Sequence, residues 1–154
     1  MNDSEQPKLY VPAMAGFYDK FSWLGYPLIR FTVGFMLMPH GAQKLFGMFG
    51  GSTEGAAKYF AHLGFEPALA ITIFVGCIEV FGGACMALGL FTRFFAAAVT
   101  IQMAVIVFVA HWPHGWFWTT GGIEHPLLWG LVTLGVFLIG SGRLSIDRAI
   151  GRQF

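Results

Sequence analysis

Four polar side chains are set into one apolar stretch of this chain. Between Arg30 and Gly47, the residues Arg30, His40, Gln43 and Lys44 interrupt a run otherwise made of Phe, Met, Leu, Val, Ala and Gly, with one threonine and one proline. The run is long enough and oily enough to cross a bilayer as a helix. At 100° per residue, Arg30, Gly34, Leu37, Gly41 and Lys44 fall on one stripe, with Val33 and His40 at its edge. Such a helix turns its oily side to lipid and its glycine-bearing polar side to partner helices. Ionisable groups are costly at bilayer depth, so they usually face a bundle interior and mark a site. Snorkelling of Arg30 and Lys44 to opposite surfaces would account for those two. It leaves His40 and Gln43 unexplained. Pro39 removes one backbone donor and predicts a kink beside His40.

The rest of the chain repeats the theme. Of its 154 residues, 56% are hydrophobic and 11% charged, a balance too oily for a soluble domain of this size. The apolar runs predict an all-α membrane protein, a four-transmembrane-helix bundle with short interfacial helices. The spans are expected over residues 23–46, 67–90, 93–112 and 124–140. Residues 1–22 then form a cytoplasmic tail, disordered over 1–8, and an interfacial segment. Residues 23–142 form the transmembrane domain, and residues 143–154 an amphipathic tail capped by Ser145. A short helix from Ser52 or Thr53 to Leu63 is too short to span and is expected at the interface. A net charge of +1 supplies no basic patch for nucleic acid. Cys77 and Cys85 are eight residues apart on one helix, about 12 Å, too far to bridge each other. No short apolar region ending in a small-residue cleavage site is present, so no cleaved signal peptide is predicted.

The second span carries a single charge, Glu79, on a face shared with Thr72, Gly76, Gly83 and Met86. A lone carboxylate at that depth must be paired or neutral. Midpoint counting sets it between Arg30 and His40, nearer Arg30. In the third span, Arg93, Ala97, Thr100, Ala104, Val107 and His111 form a small-residue stripe, while Gln102 points elsewhere. Four spans would gather Lys8, Lys20, Arg93, Arg143, Arg148 and Arg152 on one side, against Lys44 and Lys58 on the other. The positive-inside rule then puts both termini in the cytoplasm, with all five histidines towards the outer leaflet.

Several segments resemble the DoxX family of small bacterial membrane proteins. They are Arg30-Phe-Thr-Val-Gly34, His40-Gly-Ala-Gln-Lys44-Leu-Phe-Gly47, Gly76-Cys-Ile-Glu79-Val-Phe-Gly-Gly83, Leu88-Gly-Leu-Phe-Thr-Arg93, Glu124-His-Pro-Leu-Leu128 and Arg143-Leu-Ser-Ile-Asp147. They occur in the family's order from about residue 24 to residue 148. The family includes proteins similar to the membrane subunit of thiosulfate:quinone oxidoreductase. The resemblance implies a four-helix fold in the bacterial inner membrane and a redox or quinone partnership. His111, His114 and His125 depart from the pattern.

Arg30, His40, Lys44, Glu79 and Gln102 form the candidate cluster. It can bind a quinone headgroup, which needs a donor at each carbonyl and a proton route. It can equally be a structural lock between the first two spans. A metal or haem would have to use the outer histidines, His111, His114 and His125 with His40. No Cys-x-x-Cys-His attachment sequence accompanies them, and no metal is assigned. Two function classes follow. In one, the chain is a quinone- or redox-linked small subunit of a membrane complex. In the other, it is a non-catalytic accessory subunit that docks on and stabilises a larger membrane complex. In either case the partners are the lipid bilayer and other membrane-protein subunits. Whether it is an enzyme is open in both.

Overall fold

The computed structural model describes residues 8–153, and every regular element among them is helical. The expected disorder of the first eight residues falls mostly on residues 1–7, outside the described part. Helix α1 (Ala15–Phe21) runs through a 3₁₀ turn into α2 (Gly25–Phe46), so the anticipated interfacial segment is a helical lead-in to the first span. Helix α2 passes through Pro39 without a break. It stops at Gly47, whose φ of +64° suits a left-handed C-cap. Helix α3 (Thr53–His62) is the predicted short amphipathic helix, its first turn capped by Ser52 Oγ accepting from Gly55 N–H.

The second span, α4 (Ala68–Leu88), is α-helical except for a π-helical segment, Ile78–Gly82, that contains Glu79. The third, α5 (Thr92–His114), likewise widens into a π segment at Ile106–His111 before a final 3₁₀ turn. Neither π segment has a signal in the residue periodicity. Helix α6 (Glu124–Ile139) follows an aromatic loop, and α7 (Ile146–Ala149) is a single turn. Among the described residues, three helices are long and apolar enough to cross a membrane. The fourth has 16 residues and measures about 24 Å, short of a hydrocarbon core of about 30 Å.

Helix α2 is the central post, packed along α4, while α5 and α6 form the other tight pair. Glycines set the α2–α4 distance. A Cβ on Gly34 would stand 2.4 Å from Gly83 O, and one on Gly41 would stand 2.7 Å from Gly76 O. The backbones therefore touch at two levels, the close approach that small residues permit in membranes. The buried faces of α2 (Arg30, Gly34, Leu37, Gly41) and α4 (Thr72, Gly76, Glu79, Gly83, Met86) are the predicted ones. That of α5 is not. It centres on Ala96, Val99, Met103, Val107 and Ala110, whereas Ala104 of the expected stripe is exposed. Val99 and Met103 fill the shared core with Leu37, Met86 and Val136 better than the smaller side chains would. Val107 and Ala110 continue the buried face into the π segment. Large apolar side chains such as Phe31, Phe35, Phe74, Phe108, Leu131 and Leu138 cover the outside, a surface suited to acyl chains.

Candidate functional site

The structure divides the predicted cluster into two separate polar centres. Arg30, 3% exposed, belongs to the first. Its guanidinium donates to the carbonyls of Ser141, Leu144 and Ala87, at 2.5 Å for Leu144 and 3.3 Å for Ala87. Ala87 lies at the C-terminal end of α4, and Ser141 and Leu144 just beyond that of α6, where carbonyls lack intrahelical partners and a cation is favoured. One turn earlier on α2, the Tyr26 hydroxyl donates to Gly140 O. Arg30 and Tyr26 therefore cap two other helices.

Asp147 completes this end. Read from sequence as part of a surface tail, it is 2% exposed. Its carboxylate accepts from Phe91 N–H at 2.8 Å and Thr92 N–H at 3.1 Å, capping α5, while its own N–H donates to Gly89 O. A Cβ on Gly89 would strike the Arg30 guanidinium and Ser145, and its φ of +74° also calls for glycine. The motifs around Arg30, Leu88–Arg93 and Arg143–Asp147 thus meet in one structural joint.

The second centre gathers Lys44, Glu79 and Gln102. Lys44 Nζ lies 2.7 Å from Glu79 Oε2, and Gln102 Nε2 donates to Glu79 Oε1 at 2.6 Å. Lys44 also donates to His40 O at 3.2 Å. The Glu79 side chain is 3% exposed and that of Lys44 21%. Midpoint counting set Glu79 nearer Arg30. The glycine contacts correct this, because Gly41 sits against Gly76 and the Glu79 Cβ, level with the Leu37–Gly41 turn. Lys44 reaches down from the following turn. The ion pair joins α2 to α4, and the amide adds α5.

Two cavities meet at this centre. The larger, about 490 Å³, lies among α3, α4 and α5. Its walls include Tyr59, Phe60, Phe74, Ile78, Ile106 and Val109, and its polar groups include Lys44, Glu79, Gln102 and His111. The smaller, about 180 Å³, has Lys44 and Glu79 on one side and His40, His125 and Trp129 on another. Both π segments contribute to both cavities, through Glu79 and Ile106. Such insertions are frequent at functional sites. His40, Lys44 and Glu79 border the smaller cavity, which residues of α5 and α6 close.

His40, His111 and His125 are engaged individually. The His111 ring bonds Gly121 O, His125 stacks on Trp118 with centroids 5.1 Å apart, and His40 meets Trp129 edge-on. His114 lies 6.4 Å from His111, ring to ring. Among the described residues, no three His, Cys, Asp or Glu side chains converge as a metal would require.

Tyr26, Ser141 and Asp147 at the joint, and Trp129 beside His40, were not singled out by sequence reasoning. Asp147 left one signal. It stands at the end of the Arg143-Leu-Ser-Ile-Asp147 segment, which the resemblance had marked.

A family model described as DoxX matches residues 25–112, more than half of the chain. The matched segment takes in Arg30 and the whole Lys44–Glu79–Gln102 centre. No curated protein and no solved structure matches the chain.

Proposed function

This chain belongs to the DoxX family, and on that premise we propose that it is a quinone-binding, redox-linked small subunit of a complex in the bacterial inner membrane. The larger cavity carries the proposal. Its volume of about 490 Å³ and its aromatic and aliphatic walls suit a substituted ring, and its polar groups converge from three helices at Lys44, Glu79 and Gln102. In this reading the ring lies against Ile78 and Phe74 with one oxygen at the Lys44–Glu79–Gln102 centre. Helix α3 covers it, and the apolar tail runs out to lipid. Glu79 also borders the smaller cavity with His40 and His125, which offers a proton route to the ring oxygen. Helix α6 crosses as the fourth span, its shortness met by local thinning of the bilayer. Both termini face the cytoplasm, a placement supported by the basic residues of the α4–α5 turn and the C-terminal segment. Electrons are exchanged with a partner subunit.

Organic extraction of the detergent-purified protein, followed by chromatography, tests the reading. Quinone is expected to co-purify in proportion to protein rather than to phospholipid. Ala98→Phe, which places a ring in the larger cavity, should abolish that retention while the protein still melts cooperatively. Quinone that merely tracks the phospholipid content in both proteins would favour the accessory-subunit reading.

A further inference from the structure

Beyond α6 the molecule holds charge that neither polar centre uses. The segment 140–153 carries Arg143, Arg148 and Arg152, all exposed. Its one acid, Asp147, is buried, and its two carboxylate oxygens accept the N–H groups of Phe91 and Thr92. Among the described residues, none of these three arginines has an acidic partner within ion-pair distance. The fold brings two of them to one cavity. Ser145 caps α7 by accepting from Arg148 N–H. Gly151, with a φ of +68°, turns the chain back, and Arg152 N–H donates to Asp147 O at 3.0 Å. Gln153 then reaches the end of α6, where its Oε1 accepts from the Ser141 hydroxyl at 3.3 Å. A cavity of about 470 Å³ remains between α7 and the end of α6, with Ile139, Ser141, Arg148, Arg152 and Gln153 among its walls.

Two guanidinium groups supply positive charge and many donors but no acceptor, a set that suits an anion with several oxygens. The place of the cavity says which anion. Ile139 is the last residue of α6, and Leu138 and Ile139 are 66% and 60% exposed. Leu144, Ile146 and Ile150 are exposed around α7 as well. Arginines beside bare apolar side chains at the end of an apolar helix match a phosphate that carries acyl chains. A free oxyanion would gain nothing from those neighbours. We propose that this cavity binds the headgroup of an anionic phospholipid, with Arg148 and Arg152 at the phosphate and the acyl chains along Leu138 and Ile139. A zwitterionic headgroup fits less well, because its cation meets two positive charges whose segment offers no exposed acid. A headgroup seated there ties α7, and with it the Asp147 cap of α5, to the end of α6. The site stands independently of the quinone reading.

Native mass spectrometry of the full-length protein in detergent, titrated with lipid, tests the site. Phosphatidylglycerol is expected to bind about tenfold more tightly than phosphatidylcholine with the same acyl chains. The double variant Arg148→Gln with Arg152→Gln should remove that preference, and each single substitution should remove part of it. Both side chains are exposed, so the melting temperature without added lipid should hold. The single variants give the same reading should the double one fail to fold. Arg143→Gln, in the same segment but outside the cavity walls, should keep the preference. Glycerol 3-phosphate, a headgroup without chains, should not displace the lipid at equal concentration. Equal affinities for the two lipids, or a preference that survives in the folded arginine variants, would overturn the proposal. So would an equal loss in Arg143→Gln, which would reduce the effect to general attraction between a basic segment and an anionic surface. Glycerol 3-phosphate binding as tightly as the lipid would assign the cavity to a soluble phosphate instead.

Discussion

Glu79→Gln is expected to destabilise the detergent-solubilised protein by about 3–5 kcal/mol, the usual cost of removing one member of a buried charge pair. The amide can still meet Gln102, so the loss isolates the electrostatic partner of Lys44, which lies 2.7 Å away in the intact protein. The 21% exposure of the Lys44 side chain gives the ammonium a partial escape to the interface, which places the expected value at the lower end. A double variant, Lys44→Met with Glu79→Gln, removes both charges and should recover much of the stability. Thermal melts of the four proteins form a double-mutant cycle that measures the coupling directly. Melting temperatures that did not move on Glu79→Gln would show that the contact is not a working ion pair.

Arg30→Leu should cost about 3 kcal/mol or more, for a different reason. The carbonyls of Ser141, Leu144 and Ala87 lose their shared donor, and an unsatisfied buried group typically costs about 1–3 kcal/mol. Arg30→Lys should rescue little, since one ammonium cannot span three carbonyls from two chain segments. Where Arg30→Leu protein remains folded, quinone retention should match that of the unaltered chain, because Arg30 belongs to the other polar centre. Loss of retention without loss of stability would place Arg30 at the ligand after all.

The helix faces were legible where one side chain type dominated. On α2 and α4, glycines and a lone charge share a stripe, and no other face can approach a neighbour so closely. On α5, alanines lie on several faces, so small size does not single one out. Packing chose the face with Val99 and Met103. The partner of Glu79 was not legible because it depends on the register between two helices, which the glycine contacts set and the residue pattern does not. Nor was the division of the cluster. Arg30 and Lys44 lie on one stripe of one helix, yet at 1.5 Å per residue they are about 21 Å apart. Asp147 was hidden by its surroundings in the chain, since a short polar tail reads as exposed until its backbone partners on α5 are known. The π segments at Glu79 and after Val105 leave no mark in the periodicity at all. They contribute Glu79 and Ile106 to the cavity walls.

Photo-crosslinking with an azido-quinone, followed by peptide mapping, tests the quinone site most directly. Label should fall on the segments that wall the larger cavity, Thr53–His62, Ala68–Leu88 and Thr92–His114, and excess unlabelled quinone should suppress it. Label confined to lipid-facing positions such as Leu28, Phe31, Phe35 and Leu138, and unaffected by the competitor, would contradict the account.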